Sequence, residues 1–200
     1  MKEVLVIGGG GHAKSCIEAL SCHPDYSVSG INDPNISISP FSHIPLVSGS
    51  LKDLFPNHAI VLLGIGFIAN PKPRNNIIRE IQNIGFSTPA FVSETAYLAQ
   101  NSNIDEGTIV MHQALINTHV DIGCFTIINS KALLEHDVTV GSNCHISTGA
   151  IINGASKIGS NTFIGSNAVV ANNIEIGENC IVQAGAFLNH DLKNGEIFKA

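Results

Sequence analysis

From Leu98 onward every sixth residue of this 200-residue chain is aliphatic: Leu98, Ile104, Val110, Ile116, Ile122, Ile128, Leu134, and so on without a break through Val182 to Leu188. Two residues before each comes a small or β-branched residue, from Ser102 and Thr108 through Cys180 and Ala186, with Ile174 the one large exception. A period of two makes a flat strand and 3.6 makes a helix; six, tripled to 18, means three short strands per coil, each sending one aliphatic side chain inward. Residues 18 apart then stack in columns about 4.8 Å apart, and residues 98–189 make about five coils of a triangular prism. Gly123, Gly141, Gly159 and Gly177 follow the aliphatic residue at 18-residue intervals, with Gly165 as an extra instance. They predict tight corners of unusual backbone conformation.

The chain before the prism obeys a different rule. Lys2 to Ile7 is a β-branched run, followed by Gly8-Gly9-Gly10-Gly11-His12-Ala13 and a helical stretch from Lys14 to Leu20. This strand–turn–helix order satisfies the G-x-G-x-x-A pattern, in which bare backbone approaches a phosphate at a helix N-terminus. A structural turn is the plainer alternative. A second strand, Tyr26 to Ile31, ends at Asn32-Asp33, where an acidic residue can read a ribose or base; a third, Ala59 to Leu63, ends at Gly64-Ile65-Gly66. Arg74 to Ile84 predicts a helix bounded by Pro71 and Pro73. About 90 residues hold too few strands for a full dinucleotide domain. The expected organisation is therefore a Rossmann-like βαβ domain over 1–90, binding a nucleotide-sugar, followed by a β-helix over 91–200.

A net charge of -6 with no basic stripe argues against a nucleic-acid partner, because phosphates must be neutralised. Apolar runs such as Val4 to Ile7 fall far short of a bilayer span, so no membrane association is expected. The glycines after Ile7 interrupt any signal-peptide core, which predicts a cytoplasmic protein. Five cysteines with no Cys-x-x-Cys pair suit a reducing compartment; Cys144 and Cys180 occupy positions held elsewhere by Ala, Thr or Ser and read as small core residues.

Nine histidines are present. His23, His43 and His58 lie in loop-like contexts, whereas His12 closes the glycine turn. On the prism, His136 sits in Leu134-Glu135-His136-Asp137, two residues past an inward aliphatic, and so points outward. Eighteen residues on is Gly154, expected to leave open space above the imidazole; eighteen before Asp137 is His119. Flanking carboxylates raise imidazole basicity and fix its tautomer, as a general base near neutral pH requires. Zinc is the competing use, but no close-spaced histidine pair exists and no metal is expected.

The stretch Leu133-Leu134-Glu135-His136-Asp137-Val138-Thr139-Val140-Gly141, continuing through His145-Ile146-Ser147-Thr148-Gly149-Ala150, resembles the sugar acetyltransferases that include sialic acid O-acetyltransferases and bacillosamine-pathway N-acetyltransferases. The resemblance extends over nearly the whole chain. It implies a left-handed parallel β-helix and a homotrimer with active sites at subunit interfaces. It implies acetyl-CoA as co-substrate, and transfer to a nucleotide-activated amino sugar for surface glycan (polysaccharide) synthesis. By resemblance His136 is the general base, Asp137 tunes it, and His145 contacts acetyl-CoA. Backbone at Gly154, Ser166 and Ala184 would line the CoA channel, and the sugar nucleotide would lie against Gly10, Gly11, His12, Asp33 and Gly66. O-acetylation of a sialic-acid-type sugar is the alternative within the class; a non-catalytic nucleotide-sugar-binding scaffold is the alternative outside it. Asn32-Asp33 departs from the acidic pair of the UDP-sugar enzymes, and the chain lacks the family's Gly-x-Pro-Ala tail.

Overall fold

Near the N-terminus, β-branched runs separated by glycine turns become a three-stranded parallel sheet in the order β2-β1-β3, with β1 at Lys2–Ile7, β2 at Tyr26–Asn32 and β3 at Val61–Leu63. The computed structural model describes residues 1–199. Helix α1, Gly11–Ser21, follows β1 and buries Ala13, Cys16, Ile17 and Leu20, one stripe at helical spacing. A one-turn helix α2, Leu51–Leu54, was not anticipated from periodicity; Ser50 and Asp53 cap it reciprocally. Helix α3, Lys72–Ile84, begins two residues earlier than expected, with Pro73 in its first turn, where the missing N–H has no intrahelical partner to lose.

The chain divides into two units: Met1–Gly66 with Lys72–Pro89, and Phe67–Pro71 with the chain from Ala90 on. The second unit is the predicted parallel β-helix. Two-residue strands form three sheets of seven, six and five strands, all parallel, and strands pair at a spacing of 18 residues, as in Leu133↔Ile151 and Thr139↔Lys157, until the last, Ile197–Phe198, which pairs 16 residues back with Ile181–Val182. The prism starts at Phe91–Val92 and reaches Ile197–Phe198, about six turns rather than about five from Leu98. Val92 stands six residues before Leu98 and pairs with Val110, so it extends the ladder by one step; read only from Leu98, the ladder left Phe91-Val92 in the connection.

The aliphatic ladder fills the interior, with Ile116, Ile128, Leu134, Ile146, Ile152, Ile164, Val170 and Leu188 all fully buried. The exceptions lie in edge strands: Leu98 is 37% exposed and Ile104 is half-buried. The small residues that precede the ladder also turn inward, and one column of them, Thr108, Thr126, Cys144, Thr162 and Cys180, does more than fill space. Thr126 Oγ1 donates to the carbonyl of Gly141 at 2.9 Å and accepts from the N–H of Cys144 at 3.1 Å. Thr108 and Thr162 repeat this pattern one coil below and two coils above. The Cys144 and Cys180 thiols donate to the carbonyls of Gly159 and Lys193. All the cysteines are free.

The corners differ from expectation. Gly123, Gly141, Gly159, Gly165 and Gly177 do not adopt positive φ; a Cβ on any of them would meet the adjacent coil within 2.4–2.8 Å, so close approach excludes side chains there. From Ile104 to Val182 the left-handed residue is the third after each aliphatic: Asn143, Asn161, Asn167, Asn173 and Asn179 have φ of 51–61°, and Gly107, Gly149 and Gly185 share the position. Asn and Gly tolerate that conformation best and hold most of these positions, with Gln113, Phe125, Lys131 and Ala155 among the others. His119 and Asp137 occupy the same position, at φ 57° and 60°.

Candidate functional site

His136 and Asp137 lie on the corner that follows the Leu133–Leu134 strand, and the coil spacing determines what surrounds them. Asp137 Oδ2 lies 2.8 Å from His136 Nδ1. A carboxylate only accepts, so Nδ1 carries the hydrogen and Nε2 of the neutral ring keeps its lone pair for a proton from outside. The hydrogen bond from His136 holds the Asp137 carboxyl below the usual carboxylate range against a desolvation penalty, and the His136 and His119 charges add to the lowering. Below that range the carboxylate protonates and the ring loses its anchor; above it the pair is intact.

The space expected above the imidazole is not open. A Cβ on Gly154 would come within 2.6 Å of His136 Cε1 and 2.7 Å of Nε2, so the ring itself lies over the glycine. Glu135 also behaves differently from the expected flank. Its Oε2 accepts from Asn117 Nδ2 at 2.8 Å and from the His136 N–H at 3.4 Å, which ties down the backbone under the histidine and leaves the ring to Asp137. Sequence reasoning passed over Asn117, although it stands 18 residues before Glu135 and the column register points to it.

His145 belongs to a different face. It is buried on the strand His145–Ile146, where Nδ1 donates to the carbonyl of Phe67 at 2.8 Å and Nε2 lies 3.2 Å from Asn129 Nδ2. Phe67 and Phe163 pack edge-on against the ring, at 6.1 and 5.2 Å between centroids. No sequence signal within the repeat marks Phe67, because it lies outside the repeat. Ser166 and Ala184 share one column on the corner after the strand Phe163–Ile164; Ser166 Oγ is 2.9 Å from Ser147 Oγ. Among the expected acetyl-CoA residues the structure thus brings Gly154 to His136, while Ser166 and Ala184 stand on another corner of the same chain.

In the N-terminal unit the expected substrate residues gather at the carboxyl ends of the three strands. Gly10 is the N-cap of α1 with no side-chain cap, and side chains at Gly10 or Gly11 would meet nothing, which leaves the first-turn N–H groups approachable. Gly66 lies against the His12 ring, 3.6 Å from where a Cβ would be. Asp33 Oδ2 accepts from Gly9 N at 2.8 Å, and Oδ1 accepts from Asn35 N at 2.8 Å. Burial alone would raise the Asp33 carboxyl, but these bonds outweigh it and hold the group below its ordinary range. Beside them lies a cavity of about 300 Å³ lined by Gly8, Asn32, Asp33, Asn35 and Ile65. A larger cleft between α2 and α3, about 760 Å³, contains none of the glycine turn.

Behind the turn, Cys16 Sγ is 3.5 Å from His12 Nε2, and burial pushes this thiol up to about 12, so it remains protonated. Arg74, also missed in the sequence, is buried and donates from Nε to the carbonyl of Ile65 at 2.6 Å, holding the Gly64–Gly66 strand end. Among the described residues no His, Cys, Asp and Glu cluster suited to a metal ion is found, and no helix is long and apolar enough to cross a membrane.

Comparison with known proteins matches both units. The PglD N-terminal domain model matches residues 3–81, and the bacterial transferase hexapeptide (six repeats) model matches residues 155–190. A histidine-to-asparagine mutant of perosamine N-acetyltransferase from Caulobacter crescentus, solved in complex with CoA and GDP-perosamine, is 28% identical, with 98% of this chain and 93% of that one covered and a TM-score of 0.90. The acetyltransferase domain of PglB from Neisseria gonorrhoeae, in complex with acetyl coenzyme A, is 25% identical, with 98% and 95% covered and a TM-score of 0.90. WeeI from Acinetobacter baumannii, 19% identical over 98% and 96%, shares the fold at a TM-score of 0.67. No curated protein matches the sequence.

Proposed function

We propose that this chain, a hexapeptide-repeat sugar acetyltransferase with a PglD-type N-terminal domain, transfers the acetyl group of acetyl-CoA to a nucleotide-activated amino sugar. The observation that carries the chemistry is the 2.8 Å bond from His136 Nδ1 to Asp137, which leaves Nε2 as the outward base. As the sugar amine attacks the thioester carbonyl, His136 Nε2 takes the amine proton and Asp137 steadies the imidazolium. The tetrahedral intermediate collapses with departure of the CoA thiolate, which recovers the proton from His136. Transfer is direct, with no acyl-enzyme.

An amine acceptor is favoured over the hydroxyl of a sialic-type sugar by the likeness to an enzyme solved with GDP-perosamine. The uncapped α1 N-terminus and the Gly10-Gly11 backbone suit a diphosphate, with Asp33, His12 and Gly66 around the rest of the nucleotide sugar. Acetyl-CoA is assigned to Gly154, Ser166, Ala184 and the His145 face. Ser166 and Ala184 stand a whole prism face away from His136, so one chain cannot offer both corners to one thioester. A homotrimer that sets the His136 corner of one subunit against the Ser166 corner of the next resolves this, and such packing would also dry the otherwise exposed imidazole. We assign the protein to the cytoplasm and to surface polysaccharide synthesis, where acetyl-CoA and nucleotide sugars meet.

The test is release of free CoA thiol with GDP- and UDP-linked 4-amino sugars and sialic-type acids as acceptors. Turnover is expected with an amino sugar, and His136→Ala should lower kcat by about 10²–10⁴-fold. A His136→Ala protein with normal turnover overturns the assignment of the base.

A further inference from the structure

The Asp137 carboxylate has a second partner that the mechanism above does not use. While Oδ2 holds His136 Nδ1 at 2.8 Å, Oδ1 lies 3.5 Å from Nδ1 of His119, one coil below. His119 and Asp137 are 18 residues apart and share the left-handed corner conformation, so the coil repeat brings the two side chains together with no flexible loop between them. Without a contact on Oδ1 the carboxylate is free to turn about its last torsion, and the His136 ring would turn with it. With both oxygens claimed, the plane of the carboxylate is set and so is the direction of Nε2.

We propose that His119 is a positioning residue of the transfer site, holding the far oxygen of Asp137 so that the carboxylate fixes the His136 ring. This rests on the acetyltransferase reading. His119, Asp137 and His136 form a His–Asp–His bridge across two coils, and the first member never touches substrate.

Magnitude decides what to measure. The His119 and Asp137 side chains are 64% and 55% exposed, and a pair of that kind adds little to folding. Its effect is therefore expected in the pH behaviour of His136 more than in melting. The charged and titratable groups that act on Asp137 are His136 and His119, while Glu135, two residues before it, is held by Asn117; the adjoining coils present Thr118, Gly154 and Ala155, none of them charged. His119 competes with His136 for the charge of Asp137, so removing it leaves the whole carboxylate to His136, which then keeps its proton to higher pH.

The experiment compares His119→Ala and His119→Asn in the full-length protein. For His119→Ala, kcat at neutral pH is expected to fall about two- to fivefold with both KM values unchanged. The acid limb of the pH–kcat profile is expected to move upward. Asparagine places its amide nitrogen where imidazole Nδ1 lies and suits the left-handed corner, so it offers Oδ1 a neutral donor and should restore kcat while leaving the limb displaced. An unmoved limb in His119→Ala, or equal loss in both variants, overturns the proposal. Imidazole NMR of His136 in the substrate-free protein gives a readout independent of turnover: its titration should move upward in His119→Ala, and an unmoved titration overturns the proposal even for an acceptor outside the panel.

Discussion

Gly154 carries no side chain because the His136 ring lies where one would be. Its backbone is not in the left-handed region, so alanine is conformationally permitted, and the ring it would strike is the far end of an exposed side chain that can swing aside. Gly154→Ala should therefore melt close to the parent yet lose about tenfold or more in kcat, because the base is turned from its line of attack. Calorimetry beside the thiol-release assay checks both halves, and a large drop in melting temperature would contradict this account. The column register places His136, Asp137, Gly154 and His119 in one neighbourhood from sequence alone. It does not reveal that the ring would fill the space over Gly154, nor that Glu135 would serve the backbone, because side-chain torsions are not written in a repeat.

At the level of elements, the six-residue period specifies the three sheets, their parallel pairing and the inward ladder, since 18-residue coils turn the aliphatics inward whichever hand they take. Corner chemistry is less legible. Glycine has two uses, close approach and positive φ, and the repeat places them at different positions; the recurring asparagines mark the second. α2 escaped notice because a single capped turn has no periodicity. The threonine column gives an element-scale prediction. Thr126→Val keeps the shape but leaves the Gly141 carbonyl and the Cys144 N–H without their buried partner, and should cost about 1–3 kcal/mol in urea unfolding. Thr126→Ser keeps the hydroxyl and should lose less, mainly the packing of one methyl. A reversed order, with Ser losing more than Val, would show that volume, not hydrogen bonding, governs the column.

For the whole molecule, the proposed active site is divided between corners that only a second subunit can bring together. Sedimentation equilibrium should return three times the 21.1 kDa chain mass. Complementation is the sharper measurement: His136→Ala and Ala184→Trp, each inactive alone, should recover part of the activity when refolded together, because some interfaces then pair an intact base with an intact CoA corner. No recovery would indicate that each chain works by itself. The same coiling has a cost in how such a gene can change. Past Leu98 the chain behaves as a ratchet with an 18-residue tooth. One residue inserted within a strand would turn downstream side chains inside out, and one within a coil between His119 and Asp137 would slide the two out of line. Whole-coil duplications preserve the register, so the length of the prism is free to drift in steps while its cross-section stays fixed.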